Sequence, residues 1–528
     1  MATIKVSVVV PVFDAGRYLR RCAASLLAQT MSPDELELVF VDDGSTDDGP
    51  AYLDGLARAH PHVRVLHQAN SGWPGRPRNV GLAVARGTYV FFCDADDWLA
   101  PTALADLWDF ATACSSDVVL PKMAGIGRPV PHHVFVETVR STTLVDGPLM
   151  QSLTAHKLFR RAFLEEHRIR FPEGRCRLED HQLVVSAYLH AEVVSIYAER
   201  TCYTHVRRED EGNLTSAPAD WDAYYRDLGR AVAIVEEHLP AGPARDRVLR
   251  RWLQNEIVGR ASGRRLLALG PEEAQRLVAA ASQLARTRFG SGVVDLLPPA
   301  LRPTALALRL GDTTAVHRQA ERVGAWRTGA SLLQAGWSGS VLRLSGTVEL
   351  TRRGADDESA PAEARFRELL GVDAGSTGPP PPLTGRLDLA LTDPLTGEQW
   401  PVRSTLHATG LTGAFTADVD LRTVAAGAVL AEGTWELSAQ YRVLGLGSRV
   451  QVRPVRERVA ASRSVRGPAE PPAQVVLPHG CVALEVGPAV GRIARRTSQL
   501  QVALRWRRRR LARWVRGRRP SRGTVLRS

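Results

Sequence analysis

The 528-residue sequence has few cysteines, very few lysines and no long apolar run. Its six cysteines are widely separated, with no CxxC pair or Cys/His cluster, so we expect reduced thiols rather than a disulfide scaffold or a structural zinc site. No stretch of 18 apolar residues occurs, and the short apolar run at the N-terminus lacks a signal-peptide layout. These absences predict a cytoplasmic protein that at most attaches peripherally to the inner face of the cell membrane.

Positive charge is concentrated at one end of the chain. The net charge is +12, and residues 505–528 contain 11 arginines and no acid. With its tryptophans, this Arg/Trp tail is typical of a basic helix that contacts anionic lipid, and an anionic polymer would attract it in the same way. A disordered solubilising tail is the alternative. Nucleic-acid binding would rest on the tail alone, and we do not expect it.

Strand and helix signals alternate through the first 120 residues, which predicts a parallel sheet with helices on both faces. A helical pattern follows, and then alternating runs separated by turn residues, which are typical of a β-sandwich. The predicted regions are an α/β domain at 1–215, a helical linker at 216–328, a β-sandwich module at 329–460, a linker with extra strands at 461–504, and the basic tail at 505–528.

Two of the predicted strands end in residues suited to ligand binding. Pro11 lies at the carboxyl end of the first strand, and Asp42 and Asp43 lie at the end of the second. Ligands collect at the carboxyl ends of parallel strands, where an aspartate can accept a hydrogen bond from a ribose hydroxyl or a uracil N–H. A capped turn opening a helix is the alternative. Neither GxGxxG nor GxxxxGK[ST] occurs, which argues against a classical dinucleotide or P-loop site.

The segment NSGWPGRPRN at 70–79 predicts a tight loop before a helix, with Arg76 and Arg78 in the loop. Arginines at a helix N-terminus suit a diphosphate, although a solvated pair in a surface loop is the alternative.

A third motif, FFCDADDWL at 91–99, delivers three carboxylates at the end of a buried strand. Asp94, Asp96 and Asp97 would repel one another, and a bound Mg²⁺ or Mn²⁺ would relieve that repulsion. A cluster of helix-capping acids is the alternative.

In this order and at this spacing, the three motifs resemble the family 2 glycosyltransferases with the GT-A (Rossmann-like) fold, over residues 5–215. This sequence has PRN where the family has ARN. The resemblance implies a UDP-sugar donor and a Mn²⁺ or Mg²⁺ ion held by Asp96. The donor-binding residues that it implies are Pro11, Phe13, Asp14, Asp42, Asp43, Asn70, Arg76, Arg78, Asp94 and Ala95.

The same resemblance implies a catalytic base in the sequence LEDH at 178–181. Asp180 would deprotonate the acceptor hydroxyl, which then displaces the nucleotide with inversion, and Glu179 would order the site. His181 is a competing base, because its ordinary pKa suits proton transfer. Acids that merely begin a helix are the remaining alternative.

The segments HKLFRR, RFPEG and RREDEGN narrow the resemblance to the wall teichoic acid β-N-acetylglucosaminyltransferases, which act on poly(ribitol phosphate). That group implies transfer of N-acetylglucosamine to an anionic polymer, and C-terminal β-sandwich modules that bind the polymer or assemble a homo-oligomer. The candidate acceptor-binding residues are Lys157, Arg160, Arg177, Arg207 and Arg208.

One departure concerns the metal ligands: Asn213 stands near the position where the related enzymes have a metal-binding histidine, and His205 lies upstream. Two other functions stay open. One is transfer of another sugar to a capsular or lipid-linked polysaccharide, and the other is a non-catalytic glycan-binding scaffold.

Overall fold

The computed structural model describes residues 3–210, 220–352, 364, 383–425, 429–455 and 473–487. The basic tail expected at 505–528 and the linker residues 461–472 lie outside these ranges. The six cysteines are free thiols. Among the described residues, none of the helices combines the length and the apolar character that crossing a membrane requires.

An α/β domain occupies the N-terminal part of the chain. Its strands are β1 (Val6–Val12), β2 (Leu36–Asp42), β3 (Val63–His67), β4 (Tyr89–Phe92), β5 (Trp98–Leu99), β6 (Val118–Pro121), β7 (Met123–Ile126), β8 (Val139–Thr142), β9 (Leu158–Arg160), β10 (Val194–Tyr197) and β11 (Tyr203–Val206). Its helices are α1 (Arg17–Leu27), α2 (Gly49–Ala59), α3 (Gly75–Val84), α4 (Ala103–Cys114), α5 (Arg161–Glu166) and α6 (Glu179–His190).

Eight strands form the main sheet in the order β3-β2-β1-β4-β9-β6-β10-β8. Strands β1 and β2 are almost wholly buried apolar runs, as expected for parallel strands covered by helices on both faces. The sheet is mixed rather than wholly parallel, because β9 runs antiparallel to β4 and β6, and β8 runs antiparallel to β10. A smaller sheet, β5-β11-β7, lies beside the main one.

Helix α3 begins at Gly75, so Arg76 and Arg78 lie in its first turns. The sequence pattern had instead predicted that both arginines lie in a loop before the helix. Pro77 does not prevent this, because the first N–H groups of a helix have no partner within the helix. The earlier start turns Arg78 into the protein interior, where it is 3% exposed.

Helices make up the linker. They are α7 (Trp221–His238), α8 (Pro243–Trp252), α9 (Gly263–Leu267), α10 (Pro271–Arg288), α11 (Ser291–Asp295), α12 (Arg302–Leu310) and α13 (Thr313–Gly324), with a π-helical segment at Leu253–Val258. Helix α7 begins at an N-cap, Asp220, whose carboxylate accepts the Ala223 N–H at 3.0 Å. It packs along α6 and so joins the linker to the α/β domain.

The C-terminal part of the described chain is a two-sheet β-sandwich. Its strands are β12 (Trp326–Ser338), β13 (Val341–Arg352), β14 (Gly385–Thr392), β15 (Gln399–Val402), β16 (Ser404–Thr409), β17 (Thr412–Asp420), β18 (Gly433–Val443), β19 (Arg449–Gln451), β20 (Arg453–Pro454), β21 (Ala473–Val476) and β22 (Ala483–Val486). One sheet has the order β16-β17-β13-β12-β20 and the other β15-β14-β18-β22-β21, with β19 also paired to β18. The extra strands expected after 460 therefore belong to the same sandwich.

The sandwich contacts the α/β domain through the β14–β15 turn. A Cβ atom at Gly397 would lie 2.4 Å from the carbonyl oxygen of Gly125 in β7, so only glycine fits there. Nearby, the buried Lys122 ammonium lies over the Trp400 ring, 2.8 Å from its centre. Strand β7 leads directly to Arg128, which lines the cleft described next.

Candidate functional site

A cleft of about 1030 Å³ opens at the carboxyl ends of β1, β2 and β4, facing the start of α6. Most of the residues predicted from the sequence line it. They are Pro11, Phe13, Asp43, Asn70, Arg78, Asp94, Ala95, Asp96, Arg177, Glu179, Asp180, Arg207 and Arg208.

One buried arginine holds three of the carboxylates together. The Arg78 guanidinium donates to Asp94 Oδ1 at 2.8 Å, to Asp180 Oδ1 at 2.8 Å and to Glu179 Oε1 at 3.1 Å. Burial alone would lower the pKa of Arg78, but the charges of Asp180, Asp94 and Glu179 raise it above its usual value. The end of β4 and the start of α6, far apart in sequence, are thereby fixed on one side of the cleft.

The backbone turns sharply just before the proposed base. Leu178 has φ 60° and ψ 32°, a left-handed conformation that costs a non-glycine residue about 1 kcal/mol. After this turn, Asp180 Oδ2 accepts the Ala155 N–H at 3.2 Å, and Glu179 Oε2 accepts the Trp73 indole N–H at 3.1 Å. Burial and the charge of Asp180 raise the pKa of Glu179 to about 7.

His181, the competing base, also lines the cleft, but one of its ring nitrogens is already hydrogen-bonded. The Trp252 indole N–H donates to His181 Nδ1 at 3.2 Å. Burial, together with the charge of Arg251, lowers the pKa of His181 to about 3. Because Nδ1 accepts that hydrogen bond, the neutral ring carries its hydrogen on Nε2 and has no free lone pair for a substrate proton, so the geometry favours Asp180.

The three acids of the DADD segment have different surroundings. Asp97 is 0% exposed and accepts the Tyr203 hydroxyl at 2.5 Å and the Val206 N–H at 2.7 Å, so it anchors β11. Asp94 Oδ2 lies 3.0 Å from His156 Nε2. Burial would raise the pKa of Asp94, but His156 and Arg78 hold it well below its usual range.

The donor set suits a hard divalent cation. Burial and the charge of Asp94 raise the pKa of Asp96 to about 6, a cost that a bound cation would relieve. Ligand atoms of Asp94, Asp97 and His156 all lie within 4.8 Å of one another. Both oxygens of Asp97 already accept hydrogen bonds. Asp96, the metal ligand expected from the sequence, lines the cleft. His205 also lines the cleft, and burial lowers its pKa well below the usual value, leaving a neutral imidazole.

Of the two aspartates at the end of β2, only Asp43 faces the cleft. Asp42, predicted to bind the nucleotide, does not line the cleft and is 4% exposed. Its carboxylate accepts the Ser45 N–H at 3.0 Å and pairs with His67 Nδ1 at 2.9 Å. Asp43 lines the cleft instead, held by the Ser71 hydroxyl at 2.8 Å. The prediction for Asp42 is therefore corrected to a structural role.

Asp14 and Arg76, also predicted to bind the donor, do not line the cleft. The Asp14 carboxylate accepts the N–H groups of Thr46 and Asp47, at 2.7 and 3.3 Å, and so ties two loops together outside the lining. Arg76 is exposed on α3 and does not line the cleft.

Two of the five candidate acceptor residues lie away from the cleft: Lys157 immediately precedes the inner strand β9, and Arg160 is its last residue. Lys157 is 0% exposed, and its ammonium donates to Ser152 Oγ and to the Thr154 carbonyl. Burial lowers the pKa of Lys157 to about 7. Arg160 pairs with the buried carboxylate of Asp117 at 2.6 Å. These two side chains stabilise the α/β domain, and the acceptor prediction is wrong for them.

Several lining residues were missed from the sequence. They are Trp73, Arg128, His156, Trp221, Tyr224, Arg260 and Arg265. Trp73 lies within a motif that was recognised and could have been included. The last four come from the linker, where no sequence motif marks them. The linker therefore forms part of the cleft wall, where the Arg260 guanidinium lies 4.5 Å from the centre of the Tyr224 ring.

Two families match the chain. Residues 7–177 match the family described as Glycosyl transferase family 2, and residues 222–320 match the one described as Glycosyl transferase TarS linker domain. The chain is also 36% identical, over 232 residues, to the glycosyltransferase GlyG of Streptococcus pneumoniae. That alignment covers 41% of this chain and 75% of GlyG.

Several relatives carry names that specify a polymer. A poly(ribitol-phosphate) beta-glucosyltransferase of Bacillus spizizenii is 36% identical over 39% of this chain. The poly(ribitol-phosphate) beta-N-acetylglucosaminyltransferase TarS of Staphylococcus aureus is 35% identical over 44% of it. The chain spans only 33% and 40% of their respective lengths. The crystal structure of TarS 1-349 in complex with UDP-GlcNAc is similar with a TM-score of 0.54 and 29% identity, covering 60% of this chain and 92% of that one.

Proposed function

Because the chain belongs to glycosyltransferase family 2, we propose that it transfers a sugar from a UDP-sugar to a hydroxyl group of an anionic cell-envelope polymer, with inversion at the anomeric carbon. We propose poly(ribitol phosphate) as the acceptor and N-acetylglucosamine as the sugar. The names of the polymer-specific relatives and the UDP-GlcNAc complex of TarS support these choices. Glucose is the competing sugar, since one of those relatives is named for it.

The observation that carries the proposal is the convergence of Asp94 and Asp180 on Arg78, 2.8 Å from each. Asp94, which follows β4, and the candidate base Asp180, in the first turn of α6, then face the same cleft. Phe13 lines the same cleft with 47% of its surface exposed, which offers an aromatic face to a nucleobase. A glycan-binding scaffold would have no need for this arrangement of buried acids.

In the proposed reaction, Asp180 accepts the proton of the acceptor hydroxyl while the oxygen attacks the anomeric carbon. The bond between that carbon and the diphosphate breaks, and UDP leaves with the bonding electrons. Arg78 and the Ala155 N–H hold the two oxygens of Asp180, so the base has a fixed direction before the substrate arrives. One direct displacement with one base gives inversion.

Asp96 would hold a divalent cation, with His205 as a second candidate ligand on the same wall. When bound, Mn²⁺ or Mg²⁺ supplies Lewis-acid stabilisation of the leaving diphosphate. Asp94, held by Arg78 and His156, would accept hydrogen bonds from the donor sugar or ribose.

Arginines of the lining support an anionic acceptor. Arg177, Arg207 and Arg208 were expected from the sequence, and Arg128, Arg260 and Arg265 add to them. Phosphates spaced along a polymer would be attracted to this wall, and the attraction would weaken as salt screens it.

The direct test measures UDP release from UDP-GlcNAc, UDP-glucose and UDP-galactose with Mn²⁺ or Mg²⁺, with and without poly(ribitol phosphate). We expect polymer-stimulated release from UDP-GlcNAc, lost in Asp180→Asn and retained in Asp109→Asn, an exposed acid of α4. Stimulation by another donor would change the sugar. UDP release that is the same with and without polymer, and the same in Asp180→Asn as in the wild type, would refute the proposed transfer.

A second test addresses the acceptor wall. Arg177→Gln and Arg207→Gln should raise the KM for the polymer and leave polymer-independent UDP release unchanged. Arg58→Gln is the matched control, because this arginine is exposed in the last turn of α2 and does not line the cleft. If the KM for the polymer in Arg177→Gln and Arg207→Gln equals that of the control variant and the wild type, these arginines have no phosphate-binding role.

A further inference from the structure

Two histidine side chains meet nitrogen to nitrogen where α6 packs against α7. His190 is the last residue of α6, and His238 is the last residue of α7. Their Nε2 atoms are 3.2 Å apart, and the rings meet edge to face at 75°. Neither residue lines the cleft, so the pair is separate from the site described above.

The other ring nitrogens fix the tautomers of both histidines. His190 Nδ1 lies 2.8 Å from the Ser186 carbonyl oxygen, and His238 Nδ1 lies 2.7 Å from that of Ile234. A carbonyl oxygen can only accept, so each Nδ1 must carry a hydrogen and donate it. In a neutral imidazole the second nitrogen then presents a lone pair. Two lone pairs facing at 3.2 Å repel each other unless a cation lies between them.

We propose that His190 and His238 bind a first-row transition-metal cation such as Zn²⁺ through their Nε2 atoms. Zn–N bonds of about 2.0–2.1 Å at a tetrahedral angle place two nitrogens about 3.3 Å apart, close to the separation seen here. Water would fill the remaining positions. Borderline-soft imidazole ligands favour Zn²⁺, Cu²⁺ or Ni²⁺ over Mg²⁺.

The position of the pair gives the site a consequence. Helix α6 carries Glu179 and Asp180 in its first turn and His190 at its other end. A metal shared with His238 would fasten the far end of this helix to the linker. The cation would therefore stabilise the packing of the linker on the helix that bears the proposed base.

The test titrates the full chain with Zn²⁺ by calorimetry in excess Mg²⁺ and compares each variant with the wild type, so that any zinc bound in the cleft is common to both. We expect one Zn²⁺ per chain that is bound at least about tenfold more weakly in His190→Gln and His238→Gln. His60→Gln is the matched control, since His60 and His62 form another ring pair, with centres 5.9 Å apart. Equal zinc binding by wild type and His238→Gln would overturn the proposal.

Melting temperature gives an independent readout. Zn²⁺ should raise the melting temperature of the wild type and of His60→Gln but not of His238→Gln, whose exposed side chain can be replaced without disturbing the fold. If His190→Gln fails to fold, His238→Gln alone decides. A shared proton is the competing cation, and absence of any zinc effect on the wild type at pH 8 would assign the pair to it.

Discussion

Replacing Glu179 by glutamine should remove a pH-dependent loss of stability from the α/β domain. The Glu179 side chain is only 12% exposed and lies between the Trp73 indole and Arg78. Burial and the adjacent charge of Asp180 raise its pKa from 4.5 to about 7. The folded chain therefore holds this proton over a pH range in which the unfolded chain has already released it.

The sign and size of the effect follow from that difference. Between pH 4.5 and about 7 the folded state binds more protons than the unfolded state, so stability falls as the pH rises. The stabilising contribution of protonated Glu179 to the free energy of unfolding is fully present below pH 4.5 and is lost above about pH 7. The difference between the two pKa values corresponds to about 3 kcal/mol.

The measurement is the free energy of unfolding in urea at pH 5 and pH 8, for wild type and Glu179→Gln. Glutamine cannot ionise but can still accept the Trp73 N–H, so the stability of the variant relative to wild type should increase by up to about 3 kcal/mol between pH 5 and pH 8. Glu165→Gln, at an exposed glutamate of α5, should follow the wild-type curve. A difference between Glu179→Gln and wild type that is the same at both pH values would refute the argument from burial.

Three further substitutions test other parts of the structure. Arg78→Met leaves three carboxylates without their shared cation and should lower the free energy of unfolding by about 3–5 kcal/mol at pH 8; a loss below about 1 kcal/mol in urea unfolding would contradict this. His181→Gln still offers an acceptor to Trp252 and should keep kcat within a few-fold, whereas a loss of about 100-fold or more would assign proton transfer to His181. Trp400→Ala removes the ring that faces the Lys122 ammonium and should cost about 3–5 kcal/mol, while an unchanged melting temperature would mean that the sandwich contact contributes nothing.

Much of the fold could be predicted because strong local patterns coincide with buried elements. The apolar runs of β1 and β2, which the strand pattern predicted, are buried on both faces. The α/β class, the helical linker and the β-rich C-terminal region are confirmed, as is the resemblance to family 2.

The errors arose where tertiary packing decides the role of a charged side chain. The sequence pattern marked Lys157 and Arg160 as available cations, but the short strand β9 is inserted between β4 and β6. Lys157, just before that strand, is buried, and Arg160, at its end, pairs with Asp117. Adjacent aspartates carry the same pattern information, so the sequence could not show that Asp42 turns towards His67 and Asp43 towards the cleft. Arg260 reaches the cleft only because the linker packs on α6.

The charge of the cleft lining is negative in its buried part and positive in its more exposed part, which limits the substrates that the cleft can bind. The buried part holds Asp94, Glu179 and Asp180 around a single guanidinium, an excess of negative charge that favours a cation and a hydroxyl donor. The half-buried Arg177 and the exposed Arg207 present the opposite charge. A nucleotide diphosphate with its metal matches the first region, but a neutral acceptor would leave the arginines without an anionic partner from the substrate. An acceptor that carries phosphate beside its reactive hydroxyl satisfies both regions, which is why the lining favours an anionic polymer over a neutral glycan.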